Sequence, residues 1–245
     1  IACQGNHDLG HIAAEYRYSM MPDYIYPERN IQFEKTLVST GTNYEGIHTM
    51  ENAAFEFENE TWGKLLVIAF EFAPRDEALD WARQLIESDR FKNHTVIILT
   101  HSFLLNNGER IVNEGYKLTP RNWAQAVWDK LVYPSKNIKL VLCGHTGTPP
   151  QMNGSEKVDY HTTTACRVDP AADGHKVVQM MFNSQNGDGS WNGNGGDCWL
   201  RILEFKPDGK TIGIRTFSPL FALSRRTQHM AWRTDAYDQF SITIE

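Results

Sequence analysis

The apolar positions along this chain fall into two kinds of pattern. Continuous Val/Ile/Leu runs, GKLLVIAFEF (63–72), HTVIILTHS (94–102) and NIKLVLCGH (137–145), are separated by two segments whose apolar residues recur at helical spacing. In PRDEALDWARQLIESDR, Ala78, Leu79, Ala82, Leu85 and Ile86 share one face, and Asp76 and Glu77 occupy the first turn, where the helix dipole favours acid. In TPRNWAQAVWDKLVYP the stripe is Trp123, Ala124, Val127, Trp128 and Leu131; Thr119 is the expected cap, Pro120 fits the first turn and Pro134 stops it. Apolar runs without alternation, interleaved with helices, predict strands buried on both faces of an α/β sheet.

The pattern changes towards the C-terminus. WLRILEFKPDGKTIGIRTF holds two alternating runs around Pro-Asp-Gly-Lys, the mark of a hairpin, and QFSITIE predicts a further strand. Residues 11–60 are aromatic and polar without a clean period, and loops with one or two short elements are expected there. NSQNGDGSWNGNGGD (183–197) is expected to be a glycine-rich surface loop. No repeat or internal boundary divides the chain, so residues 1–245 are expected to form one domain.

Composition narrows the function classes. With 41% hydrophobic and 22% charged residues the chain can bury a sizeable core, which excludes disorder. The net charge of −6 and scattered basic residues give no footprint for duplex nucleic acid, although a small anionic substrate stays open because a local metal or Arg overrules global charge. Nothing approaches the roughly 18 consecutive apolar residues of a membrane span. Cys3, Cys143, Cys166 and Cys198 show no Cys-x-x-Cys spacing, against a zinc knuckle; they read as buried free thiols, with one disulfide open. The compartment is undecided, with an extracytoplasmic location favoured over a cytoplasmic one.

Three apolar runs end alike. IACQ leads into Gly5-Asn6-His7-Asp8, VIILT into His101-Ser102, and LVLC into Gly144-His145-Thr146-Gly147. In open α/β sheets the ligand crevice lies beyond the carboxyl ends of the strands. If the three are neighbouring strands, Asn6, His7, His101 and His145 meet on one rim. Two imidazoles and an amide oxygen suit a divalent metal of the zinc, iron or manganese kind, and Gly5 and Gly144 would allow the turns that aim them.

GNHD, a buried strand ending in THS, and then CGH resemble the calcineurin-like metallophosphoesterases. FEFAPRDEALDWA, the SQ of NSQNG, and WLRILEF followed by RTFSP resemble a bacterial branch of that family, so the resemblance runs from residue 1 to about residue 220. It implies an α/β fold, a four-layer α/β/β/α sandwich, and metal-dependent hydrolysis of a small phosphoester by a phosphatase or phosphodiesterase. It also implies a two-metal centre of Mn, Fe or Zn, in which hydroxide on the metal attacks phosphorus. Asn6, His101 and His145 match three ligands of one ion. His7 matches the general acid that protonates the leaving group, and Asp8 the residue orienting its ring.

The departures carry weight too. The family's Asp-x-His and Gly-Asp motifs are not found ahead of GNHD, and Gly147 stands where the family has a second histidine. The domain is therefore expected to be N-terminally incomplete, with at most one well-liganded ion. A general acid contributes about 10²–10⁴-fold, whereas phosphate-ester hydrolysis can need up to ~10²¹; such a chain is expected to be weak or inactive alone. A non-catalytic phosphoesterase-like domain binding a glycan or a partner protein is the alternative, motivated by Gly147 and the aromatic segment 11–60. A mononuclear zinc hydrolase is a third option. Missing upstream strands would leave sheet edges unpaired, so self-association is expected.

Other residues have plainer readings. Arg167 is the candidate for binding a substrate phosphate, since guanidinium matches it bidentately; Arg75, at a helix start, reads as structural. His161 and His175 read as loop residues. Asn186, Asp188, Ser190, Asn192 and Asp197 loosely follow a calcium loop, but Trp191 takes the place of its Gly and Asp197 that of its Glu. Ser102 lacks a nucleophile elbow.

Overall fold

The computed structural model describes residues 1–147, 163–184 and 196–244. Its strands are β1 (Leu37–Thr42), β2 (His48–Asn59), β3 (Gly63–Ala69), β4 (Thr95–Leu99), β5 (Ile138–Cys143), β6 (Thr164–Pro170), β7 (Lys176–Phe182), β8 (Leu200–Phe205), β9 (Thr211–Phe217), β10 (Trp232–Arg233) and β11 (Phe240–Thr243). The α-helices are α1 (Met21–Tyr24), α2 (Ile31–Thr36), α3 (Asp76–Glu87), α4 (Ala124–Val127) and α5 (Pro219–Ala222), and α4 runs on into a π-helical turn, Trp128–Val132.

Seven strands form one sheet in the order β1-β2-β3-β4-β5-β7-β6. Its centre, β3-β4-β5-β7, is parallel, and β2, β1 and β6 add antiparallel margins. The three apolar runs of the sequence are β3, β4 and β5. Their residues alternate between two covers: Val96 and Ile98 face Leu79, Ala82, Ile86 and Leu131 of the helical layer, while Ile97 and Leu140 face Ile212, Ile214 and Ile242 of a second sheet. Burial on both sides explains why these strands show no alternation. Each such side chain contributes about 1.5–3 kcal/mol relative to exposure. In the second sheet β9 pairs with β8, β10 and β11, and the expected Pro-Asp-Gly-Lys hairpin is β8–β9. Helix, large sheet and small sheet are the layers that the described residues build, three of the four implied by the resemblance.

Four expectations need correction. IACQ is not a paired strand; residues 1–5 run extended without joining a sheet. The second helix begins at Ala124, not Thr119, because its expected first turn is bonded elsewhere: the Pro120 carbonyl accepts from Arg17, and Asn122 donates from its backbone and side chain to Pro74. Residues 37–59 form a long hairpin rather than loops. Its strand β2 buries Met50, Glu51, Asn52, Ala53, Ala54 and Phe55 in succession, so the polar residues that hide its period are internal ones with partners. Finally, β6 and β7 make a hairpin where no element was expected, with His175 in its turn bonded to Asp173. The calcium-like stretch 186–195 and His161 lie outside the described residues. All four cysteines are free, but Cys166 and Cys198 are exposed. Burial pushes the Cys3 and Cys143 thiols up to about 12, which keeps them protonated.

Candidate functional site

β4 and β5 lie side by side and parallel, with Leu99 opposite Leu142. The pairing continues past both strands: Thr100 N donates to Leu142 O (3.0 Å) and Gly144 N to His101 O (2.9 Å). The next side chains are the two histidines, whose ring centroids are 4.8 Å apart. His145 has a φ of 64°, a left-handed conformation that a residue with a Cβ occupies at a cost of order 1–3 kcal/mol. Its carbonyl accepts from Asn183 Nδ2 (2.9 Å).

The N-terminal segment crosses the ends of these strands. Cys3 Sγ lies 3.4 Å from Phe70 O, and buried Gln4 donates to Glu51 (2.7 Å) and accepts from Phe72 N (3.1 Å). Gly5 is then pressed against His101: a Cβ here would sit 3.1–3.3 Å from three atoms of its ring. At Gly144 a Cβ would stand 3.2 Å from Phe182 O. Neither glycine has a positive φ. They permit close approach, not the tight turns expected from the sequence.

Asn6–Asp8 form a single 3-10 turn. Asn6 is buried; its Nδ2 donates to Tyr116 OH (3.0 Å), which turns Oδ1 towards His101 Nε2, also at 3.0 Å. His7 and Asp8 are exposed at the same rim, but they do not form the expected pair. Asp8 Oδ2 accepts the Gly5 N–H (2.7 Å), closing the turn, and His7 Nδ1 meets the Ile12 carbonyl (2.8 Å). The backbone carbonyl orients this ring, not the neighbouring carboxylate.

Asn6, His7, Asp8, His101 and His145 line one cavity of about 960 Å³, together with Glu114 and Tyr116. Behind the lining residues lies Phe72, fully buried, whose ring stands edge-on to His101, Tyr116, Trp123 and His145 at 5.4–6.1 Å between centroids. Burial, and secondarily the nearby His145, lowers the pKa of His101 to about 4, so this imidazole is neutral near pH 7. Glu114 and Tyr116 were not foreseen. They sit in NEGYKL, a loop with no motif, and only the fold brings them here.

Arg167 is not among the lining residues. It lies on β6 with Nε 2.5 Å from Asp169 Oδ2 of the same strand and Nη1 3.2 Å from Gly108 O, so the guanidinium expected to bind phosphate is engaged away from this cavity. Arg75 is structural as expected, bonded to Glu71 (2.9 Å) and to the Thr42 carbonyl (2.6 Å). Ser102 donates to Glu114 (2.9 Å).

Whether the site suits a divalent cation can be judged from its donors. Among the described residues no three His, Cys, Asp or Glu converge on a common point, so a third donor must be the Asn6 amide oxygen. Two metal bonds of about 2.1 Å put their ligand atoms about 3.0 Å apart at the right angle of an octahedral ion and about 3.4 Å apart at the tetrahedral angle. The first is the separation of His101 Nε2 and Asn6 Oδ1. His101 is neutral, as coordination requires, and would bind through Nε2 in the tautomer that leaves that nitrogen unprotonated. The three side chains would offer one ion an amide oxygen and two imidazoles.

A family model described as calcineurin-like phosphoesterase matches residues 1–149. Among curated proteins, the uncharacterized protein YvnB of Bacillus subtilis (strain 168) is similar, 23% identical over 247 residues. The match covers 98% of this chain but only 16% of that relative's length.

Proposed function

This chain belongs to the calcineurin-like phosphoesterase family, and on that footing we propose that it hydrolyses small phosphoesters, as a phosphatase or phosphodiesterase, with Asn6, His101 and His145 holding one divalent ion and His7 as general acid. The observation that carries this reading is the meeting of an amide oxygen and two imidazoles from three distant segments, with His101 Nε2 3.0 Å from Asn6 Oδ1. Mn²⁺, Fe²⁺ or Zn²⁺ bound there would supply Lewis acidity towards a phosphoryl oxygen and activate water near neutral pH.

The protein's own groups do the rest. Tyr116 fixes which way the Asn6 amide faces. The Ile12 carbonyl holds His7 Nδ1–H, so Nε2 is the atom that, when the ring is doubly protonated, gives its proton to the departing oxygen and is left with a lone pair. Asp8 keeps the turn closed. Release of p-nitrophenol from p-nitrophenyl phosphate and from bis(p-nitrophenyl) phosphate, with each metal added, tests the proposal. We expect metal-dependent turnover, weak in this chain and stronger in a longer protein carrying it, lowered there about 10²–10⁴-fold by His7→Ala, while Asn6→Ala and His101→Ala weaken metal binding itself. Absence of metal-dependent turnover, both in this chain and in a longer protein carrying it, overturns the reading. A binding module is the second reading, favoured by Gly147 and by the exposed Tyr16, Tyr18, Tyr24 and Tyr44; saturable glycan binding without turnover would support it.

A further inference from the structure

Glu114 is a buried acid with no place in the proposal above. Its side chain is 12% exposed, and its contact with a basic group, among the described residues, is to His145, Oε1 to Nε2 at 3.3 Å. The same Oε1 accepts from Ser102 Oγ at 2.9 Å. Oε2 is buried and has no hydrogen-bond partner among the described residues. Withdrawing a carboxylate from water is costly unless something repays it, and among the described residues no Lys or Arg does so.

We propose that Glu114 is a positioning residue: its carboxylate accepts the Nε2–H of His145, which fixes the ring's tautomer and leaves Nδ1 with the lone pair offered to a cation. Imidazoles that bind metals usually donate their other N–H to a carboxylate or carbonyl, which sets both orientation and basicity. His145 needs such help more than His101 does. It sits in a left-handed backbone conformation just beyond the sheet, where strand geometry no longer dictates the direction of its ring. The loop carrying Glu114 serves the site twice, since Tyr116, two residues on, orients Asn6. Ser102, next to His101, anchors the carboxylate, so one acid ties the end of β4 to the end of β5.

The consequence for metal binding rests on the reading of His145 as a ligand; the tautomer does not. Long-range ¹H–¹⁵N spectra of the metal-free chain report the tautomer directly, with the His145 signals identified by their loss in His145→Gln. We expect the Nε2–H form in the unmodified chain, a shift towards the Nδ1–H form or a mixture in Glu114→Leu, and restoration in Glu114→Gln, whose amide oxygen still accepts. Co²⁺ titration should show affinity about 10–100-fold weaker in Glu114→Leu, with Glu114→Gln between the two. Should Glu114→Leu fail to fold, Ser102→Ala loosens the carboxylate without removing it and should partly mix the tautomers. An unaltered His145 tautomer in a folded Glu114→Leu, or in Ser102→Ala if that is the variant that folds, overturns the proposal. A Glu114-dependent tautomer in a chain that binds no Co²⁺ supports the positioning role and removes the metal reading. Equal Co²⁺ affinity in the unmodified chain and a folded Glu114→Leu, together with an unaltered tautomer, does the reverse.

Discussion

His101 resists protonation, and that has a measurable cost in acid. Its pKa is about 4 in the folded chain against an ordinary 6.5, chiefly because burial penalises the cation. Above pH 6.5 the ring is neutral folded or unfolded, and the difference has no effect. As pH falls from 6.5 towards about 4 the unfolded chain takes up a proton that the folded one refuses, so stability declines across that window. Chemical denaturation of the metal-free protein should show this decline, and His101→Gln should make it shallower; an equal slope in both proteins would count against the buried neutral ring. At this scale the sequence is legible where chemistry follows the chain. Asn6, His101 and His145 could be picked out because each ends or follows an apolar run. Glu114 and Tyr116 could not, because they reach the site from a loop whose spacing encodes nothing. Arg167 and Asp8 mislead for a related reason: a charge beside a motif is free to pair locally, and Asp169 and the Gly5 N–H claim them.

Among the elements, β2 shows how a strand escapes notice. Asn52 is fully buried in it, where its Oδ1 accepts the Glu71 N–H (3.1 Å) and its Nδ2 donates to the Thr42 carbonyl (3.3 Å). The side chain thus ties β2 to the end of β1 on one side and to the segment after β3 on the other. A polar residue with internal partners looks solvent-facing in sequence, and this breaks the period on which strand recognition depends. We expect Asn52→Ala to destabilise the fold by about 1–3 kcal/mol, since it orphans a buried donor and an acceptor; urea unfolding would measure it, and a change below about 0.5 kcal/mol would contradict the account. The parallel strands β3, β4 and β5 were readable because their two covers are both apolar. The start of the second helix was not: Thr119 and Pro120 satisfy every local rule, but Arg17 and Pro74 outcompete the helix for that backbone.

For the whole molecule, the ends of the sheets matter most. The large sheet terminates in β1 and β6, and Val168 on β6 is 51% exposed. In the small sheet β8 pairs with β9, and its Leu200 is 40% exposed. Unprotected strand edges template pairing with another chain, so light scattering should give a mass above that of one chain, and Val168→Lys should lower it. A sharp one-chain mass at every concentration would refute this. The buried aromatic cluster behind the site has a different consequence. Phe72 stands 6.1 Å from Trp123 and 6.0 Å from His145 between ring centroids, which sets an indole fluorophore one ring away from the imidazoles. A paramagnetic ion such as Mn²⁺ or Co²⁺ arriving there should dim that emission, and Trp123→Phe should abolish the quenching. The protein then carries its own optical gauge of occupancy, readable with no substrate, dye or label.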